Sequence, residues 1–116
     1  MPSLWWKWVK MSEQDLVNAI KDLIYLRGGI PIRINSGMIV VTSNEGKTRV
    51  IKGADRGTAD IIACFQGRFL AIECKMPGNK MTKHQEAFAE EVIRAGGIHC
   101  LAYSLDDVQR LLDAMD

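Results

Sequence analysis

The sequence predicts an α/β fold: a mixed β-sheet flanked by helices, in the coarse order α-β-β-β-α-β-α. Three observations predict it. Two amphipathic stretches, from Ser12 and from Thr82, open on capping signals and close on Gly pairs. Two apolar runs, Ile61 to Phe65 and Phe69 to Ile72, flank Gln66-Gly67, a hairpin signal. Strand, helix and strand then follow from Phe69 to Tyr103, which implies a right-handed crossover between parallel strands.

Length and composition bound the answer. At 116 residues the chain makes one domain with a core of its own. Its 47% hydrophobic and 25% charged residues are those of an ordinary globule. No apolar run is long enough to span a bilayer, and no signal peptide is visible, so no membrane partner is expected. Three cysteines, Cys64, Cys74 and Cys100, all fall in predicted strands. An odd count without CxxC spacing argues for buried free thiols in a cytoplasmic or otherwise intracellular, reducing compartment.

The first ten residues hold all three tryptophans, Trp5, Trp6 and Trp8, with Lys7 and Lys10. They read either as an aromatic–basic arm that stacks on bases or packs on a partner, or as an upstream extension. The second reading is favoured, with residues 11–116 as the single domain. Ser12-Glu13-Gln14-Asp15 then begins a helix that runs to about Arg27, and Gly28-Gly29 stops it. Leu16, Val17, Ile20, Leu23 and Ile24 form its apolar stripe. Glu13 sits at the edge of that stripe, either as a first-turn acid satisfying the helix dipole or as an acid delivered to the sheet.

Ile30 to Asn35 reads as a strand, Ser36-Gly37 as a plain hairpin turn, and Met38 to Thr42 as the next strand. Ser43 to Gly46 turns the chain again, and Thr48 to Ile51 returns. Lys52 to Gly57 is a polar loop leading to Asp60. After Lys75 comes the loop Met76 to Lys80, then a second capping box, Thr82-Lys83-His84-Gln85. The helix it opens presents Phe88, Ala89, Val92 and Ile93 and ends at Gly96-Gly97. His84 reads as surface. Ile98 to Tyr103 is a strand, and Ser104 caps a final helix through Met115.

The chemistry concentrates in the hairpin around Gln66-Gly67. With a two-residue loop, Phe65 faces Arg68, Cys64 faces Phe69, Ala63 faces Leu70 and Asp60 faces Glu73. Lys75 lies two residues past Glu73 and projects from the same face. Like charges opposed on a sheet destabilise it, and neighbouring carboxylates resist ionising together. A divalent cation removes that conflict. A longer turn would break the pairing and leave Glu73 and Lys75 as polar residues at a strand end. Lys47, Arg49, Lys52 and Arg56 precede the hairpin, and Lys80 and Lys83 follow it. They read as phosphate contacts or as a solvated basic edge.

Asp60, then Glu73-Cys74-Lys75 thirteen positions on, resembles the D…(D/E)-x-K signature of the PD-(D/E)xK nuclease superfamily. Gly57 to Ile62 and Phe69 to Lys75 look like the VRR-NUC family within it, which includes stand-alone virus-type nucleases and is similar to Holliday-junction resolvases. The likeness covers about Glu13 to Tyr103. Cys74 stands where the family usually has Val, and Ala59 where it usually has Pro.

The resemblance implies a restriction-endonuclease-like core and a Mg²⁺-dependent endodeoxyribonuclease, with Mn²⁺ as a substitute. In that scheme Asp60, Glu73 and the backbone carbonyl of Cys74 ligate the metal. Lys75 orients the attacking water, Glu13 completes the acidic cluster and Gln85 positions Lys75 or the phosphate. Ser36 falls where related resolvases approach substrate. The resemblance further implies a homodimer acting on branched DNA, four-way junctions first and flaps or forks second, in a bacterial or phage-infected cell. The alternative is an inactive DNA-binding module of the same fold.

Overall fold

The computed structural model describes residues 11–35, 38–52 and 54–116. The expected arm over residues 1–10 and the expected substrate-facing Ser36 lie outside them. Nine elements follow in order: α1 (Glu13–Leu26), β1 (Ile30–Arg33), β2 (Met38–Thr42), β3 (Thr48–Lys52), β4 (Ile61–Phe65), β5 (Arg68–Cys74), α2 (Lys83–Arg94), β6 (Ile98–Ala102) and α3 (Leu105–Met115). β1-β4-β5-β6 form one mixed sheet, and β2-β3 stand apart as a two-stranded ribbon. With the ribbon set aside, the remaining elements have the predicted order α-β-β-β-α-β-α. None of the described helices is long and apolar enough to cross a membrane.

Local chemistry fixes each boundary. The Ser12 hydroxyl accepts from the Asp15 N–H, and the Asp15 carboxylate accepts from the Ser12 N–H, so the capping box of α1 is complete. Thr82 and Gln85 repeat the device at α2. Gln66 and Gly67 both have positive φ, 52° and 74°. That pair of conformations is the tight turn whose twist suits a hairpin. It sets the register that spacing predicts: Phe65 opposite Arg68, Cys64 opposite Phe69, Ala63 opposite Leu70. β5 and β6 run parallel across the α2 crossover.

Two layers cover the sheet unequally. Leu16, Val17, Ile20 and Ile24 of α1 and Val108 and Leu112 of α3 pack on Ile61, Ala63, Phe65, Leu70, Ile72 and Cys74. On the other face, a much smaller cluster joins Ala59 and Ala71 to Val92, with Phe88 against it.

Three expectations are corrected. β1 and β2 do not form the expected hairpin, because β1 pairs antiparallel with β4, Ile32 opposite Ile62. The Ala54 N–H donates to the Asn35 carbonyl at 2.9 Å, closing the base of the β2–β3 excursion. Cys64 is exposed rather than buried, because it points to the thinly covered face. Ile93, expected on the buried face of α2, is 62% exposed, since that stripe is only wide enough for Ala89 and Val92.

Candidate active site

Asp60 stands one residue before β4, where the ladder ends at Ile61 opposite Ile72. Its backbone is held there by the Ile34 N–H, which donates to its carbonyl at 2.8 Å. Its carboxylate accepts the Cys74 N–H, also at 2.8 Å. Asp60 thus ties β1 to β5 and is fixed at both ends.

Glu73 lies in β5, 3% exposed and the sole charged residue among the buried described ones. Gln85 donates from Nε2 to its Oε1 at 3.0 Å, while the Gln85 Oε1 accepts from the Thr82 N–H at 2.9 Å. One amide therefore caps α2 and steers a buried acid. The other Glu73 oxygen, Oε2, is buried with no hydrogen-bond partner. Burial pushes the Glu73 carboxyl up to about 8. The negative charge of Asp60 and a hydrogen bond with it add to the rise, Lys75 opposes it, and Glu13 adds the smallest part. Ionised, Glu73 and Asp60 repel one another, and a cation between them would relieve the repulsion.

The structure brings Asp60, Glu73 and Gln85 together, with Lys75 half-buried just past the strand and near enough for its charge to act on Glu73. The Lys75 N–H donates to the Ala102 carbonyl at 3.0 Å, which holds its backbone to the β6 side. Glu13 is exposed in the first turn of α1, within electrostatic reach but outside the buried pair. Among the described residues, no three His, Cys, Asp or Glu side chains form a group able to hold a metal. The described acids that stand together are two, Asp60 and Glu73. The Cys74 thiol belongs to the opposite, apolar core, and burial pushes it up to about 12.

The basic residues divide into groups. Arg56, Lys80 and Lys83 are exposed, the first in the loop before Asp60 and the other two in the loop before α2 and at its first residue. Lys47 and Arg49 sit on the separate ribbon, as does the backbone of Lys52, whose side chain is outside the description. Sequence reading passed over two supports. Gly57 has φ +90°, and a Cβ there would meet the His84 carbonyl oxygen at 2.3 Å, so the loop before Asp60 presses on the first turn of α2. The Tyr103 hydroxyl donates to the Asn79 carbonyl at 2.9 Å and pins the loop after Lys75. Gly in a polar loop was the visible signal for the first; the second had none.

A solved structure titled "VRR_NUC domain" superposes on this chain with a TM-score of 0.61 and 18% identity, over 87% of this chain and 94% of that one. The chain has the VRR_NUC fold. No protein-family model matches the sequence, and no curated protein matches it. At such identity the likeness speaks for the fold, and the chemistry rests on the residues themselves. Within this VRR_NUC fold, the two carboxylates stand where β4 begins and β5 ends, capped by the head of α2.

Proposed function

We propose that this chain is a metal-dependent endonuclease that hydrolyses phosphodiester bonds in branched DNA. One observation carries the reading: a buried carboxylate with an unpaired oxygen, Glu73 Oε2, beside a second carboxylate that the backbone fixes in place. An unsatisfied buried acceptor is costly. Small hard cations take oxygen ligands of this kind. Asp60, Glu73 and the Cys74 backbone carbonyl would hold Mg²⁺ or Mn²⁺, with Gln85 locking the Glu73 rotamer. The ion would supply Lewis-acid polarisation of the phosphate and a more acidic water.

The remaining chemistry belongs to the chain. Lys75 orients the attacking water and stabilises the charge that grows on the phosphoryl oxygens. Glu13, in solvent at the rim, accepts a hydrogen bond from water entering the site. Arg56, Lys80 and Lys83 take the phosphates on either side. A small domain grips little DNA alone, so two copies about a twofold axis would place one site on each of two strands. Four-way junctions are the first substrate to try, flaps and forks the second.

Linear, flap, fork and four-way DNAs, each incubated with Mg²⁺, Mn²⁺ or EDTA, test the reading. Cleavage of a branched form is expected with either metal and not with EDTA. Lys75→Ala should lower cleavage by about 10²–10³-fold with binding retained, and Asp60→Ala should abolish it. Full activity in either variant removes the assignment, and junction binding without cleavage by the wild type makes this an inactive binding module.

A further inference from the structure

The parallel strands β5 and β6 end side by side at the candidate site, and Tyr103 stands where β6 leaves the sheet. The ladder sets Cys74 opposite Ala102. The Lys75 N–H donates to the Ala102 carbonyl at 3.0 Å, which carries that register one residue further and sets Lys75 opposite Tyr103. Neighbouring strands lie about 4.8 Å apart. Ala102 is buried in the core with α1 and α3, so Tyr103, the next residue, turns to the other face, that of Glu73 and Gln85. Its hydroxyl donates to the Asn79 carbonyl at 2.9 Å, in the loop between Lys75 and α2. Its N–H donates to the Asp107 carboxylate at 2.9 Å, and Arg110 pairs with that carboxylate at 2.7 Å. The residue is thus held at both ends, yet it is 36% exposed. With hydroxyl and N–H engaged, what it offers a ligand is the ring. Lys80, next to Asn79, is exposed as well.

We propose that the Tyr103 ring stacks on a base close to the scissile phosphate, and that this base is one whose stack is interrupted. The stack rests on the nuclease reading for the place of the phosphate at Lys75, not on which branched form is cut. Stacked nucleotides advance about 3.4 Å along a strand, so a ring one strand spacing from Lys75 falls about one or two nucleotides from the phosphate that Lys75 serves. A base inside a continuous duplex has a neighbour on each face and leaves none for a side chain. A base in a single strand, or at a flap, fork or junction, has a free face. Every base has such a face, so the contact reads the break in the stack and not the sequence. Tyr103 thereby favours interrupted DNA over linear duplex, and Lys80 lies at hand for the adjoining phosphate. Pinning the Asn79 loop uses the hydroxyl alone, whereas stacking uses the ring, so substitution separates the two roles.

A cycle between Tyr103 and the base it meets tests this. Flap and four-way DNAs carry an abasic residue in turn at each nucleotide around the branch. Wild type, Tyr103→Phe and Tyr103→Ala are compared on each, by anisotropy binding in EDTA and by cleavage in Mg²⁺. One abasic position should weaken wild-type binding, and raise the KM of cleavage, by about tenfold. Tyr103→Ala should show that loss on intact DNA, no further loss at the abasic position, and a kcat close to the wild type's. Tyr103→Phe, which keeps the ring and releases Asn79, should match the wild type. Equal losses in Tyr103→Phe and Tyr103→Ala, or losses from the variant and the abasic residue that simply add, overturn the stacking and leave the nuclease reading standing. A wild type indifferent to every abasic position overturns it without any variant. Coupled losses in binding with no metal-dependent cleavage keep the stack as a DNA contact and overturn the nuclease reading.

Discussion

The molecule holds two antiparallel ribbons of similar length, each rich in β-branched or aromatic residues, β2–β3 and β4–β5, and they have opposite fates. β4–β5 lies at the centre of the sheet, with Ile61, Leu70 and Ile72 fully buried. β2–β3 is exposed at every described side chain from Val40 to Val50. Strand propensity is therefore shared, and cover is not. β4–β5 has two helices over one face, α2 over part of the other and a strand on each side, and Glu73 is stripped of water on the α2 side, under Gln85. The difference shows that the candidate site is a property of the enclosure, not of the hairpin alone.

The largest break in the comparison should come from Leu70→Ala. Leu70 is 0% exposed under α1 and α3. Truncating a leucine in such a place costs about 3–5 kcal/mol. For a domain of this size the melting temperature should fall by roughly 12–24 °C, followed by circular dichroism. A fall of only a few degrees would mean that the α1 side is less closed than its packing indicates.

The same contrast explains what could be read in the sequence. The β4–β5 register was legible because Gln66-Gly67 fixes it within two residues, and both caps were legible because their side chains bond to their own turns. The partner of β1 was not. Choosing β4 over β2 depends on an excursion that closes only at Asn35 and Ala54, and no local pattern records such a pairing. Cys64 looked buried because its neighbours are apolar, but α2 lies toward β6 and leaves it open. The spacing predicts Asp60 and Glu73 as two opposed acids, and the ladder reaches as far as their neighbours, Ile61 and Ile72. The bond from the Cys74 N–H to Asp60, and the double use of Gln85, needed coordinates.

A second, smaller effect comes from the charge enclosed in β5. The Glu73 carboxyl is held up to about 8 in the metal-free fold, first by burial and then by Asp60, against about 4.3 in an unfolded chain. The native state therefore keeps a proton that the unfolded state has lost. Its stabilising contribution is complete below the unfolded value and disappears as pH rises through about 8. Between pH 6 and pH 8 the loss is about 2 kcal/mol. In EDTA the wild type should melt lower at pH 8 than at pH 6, and Glu73→Gln should remove most of that slope. Added Mg²⁺ should stabilise the wild type more at pH 8 than at pH 6, because fewer protons then compete for the pair. A pH-independent melting temperature in EDTA would show that the pair is better solvated than its burial implies.

The smallest effect belongs to the exposed ribbon. Val40 is 63% exposed and faces Val50 across the β2–β3 ladder. Val40→Thr keeps the branched side chain and the strand preference while replacing a methyl with a hydroxyl, which water satisfies. On a single chain nothing else is lost, so stability should change by less than about 0.5 kcal/mol. The measurement is denaturation at protein concentrations low enough to hold one copy apart from another. If a second copy covers the ribbon, the same substitution should cost more at high concentration, because an enclosed hydroxyl gives up its water. A concentration-dependent penalty would show that a second chain encloses this ribbon as the helices enclose β4–β5. A penalty of equal size at every concentration would show that the ribbon is covered within one chain, and the contrast between the two hairpins would then be one of degree.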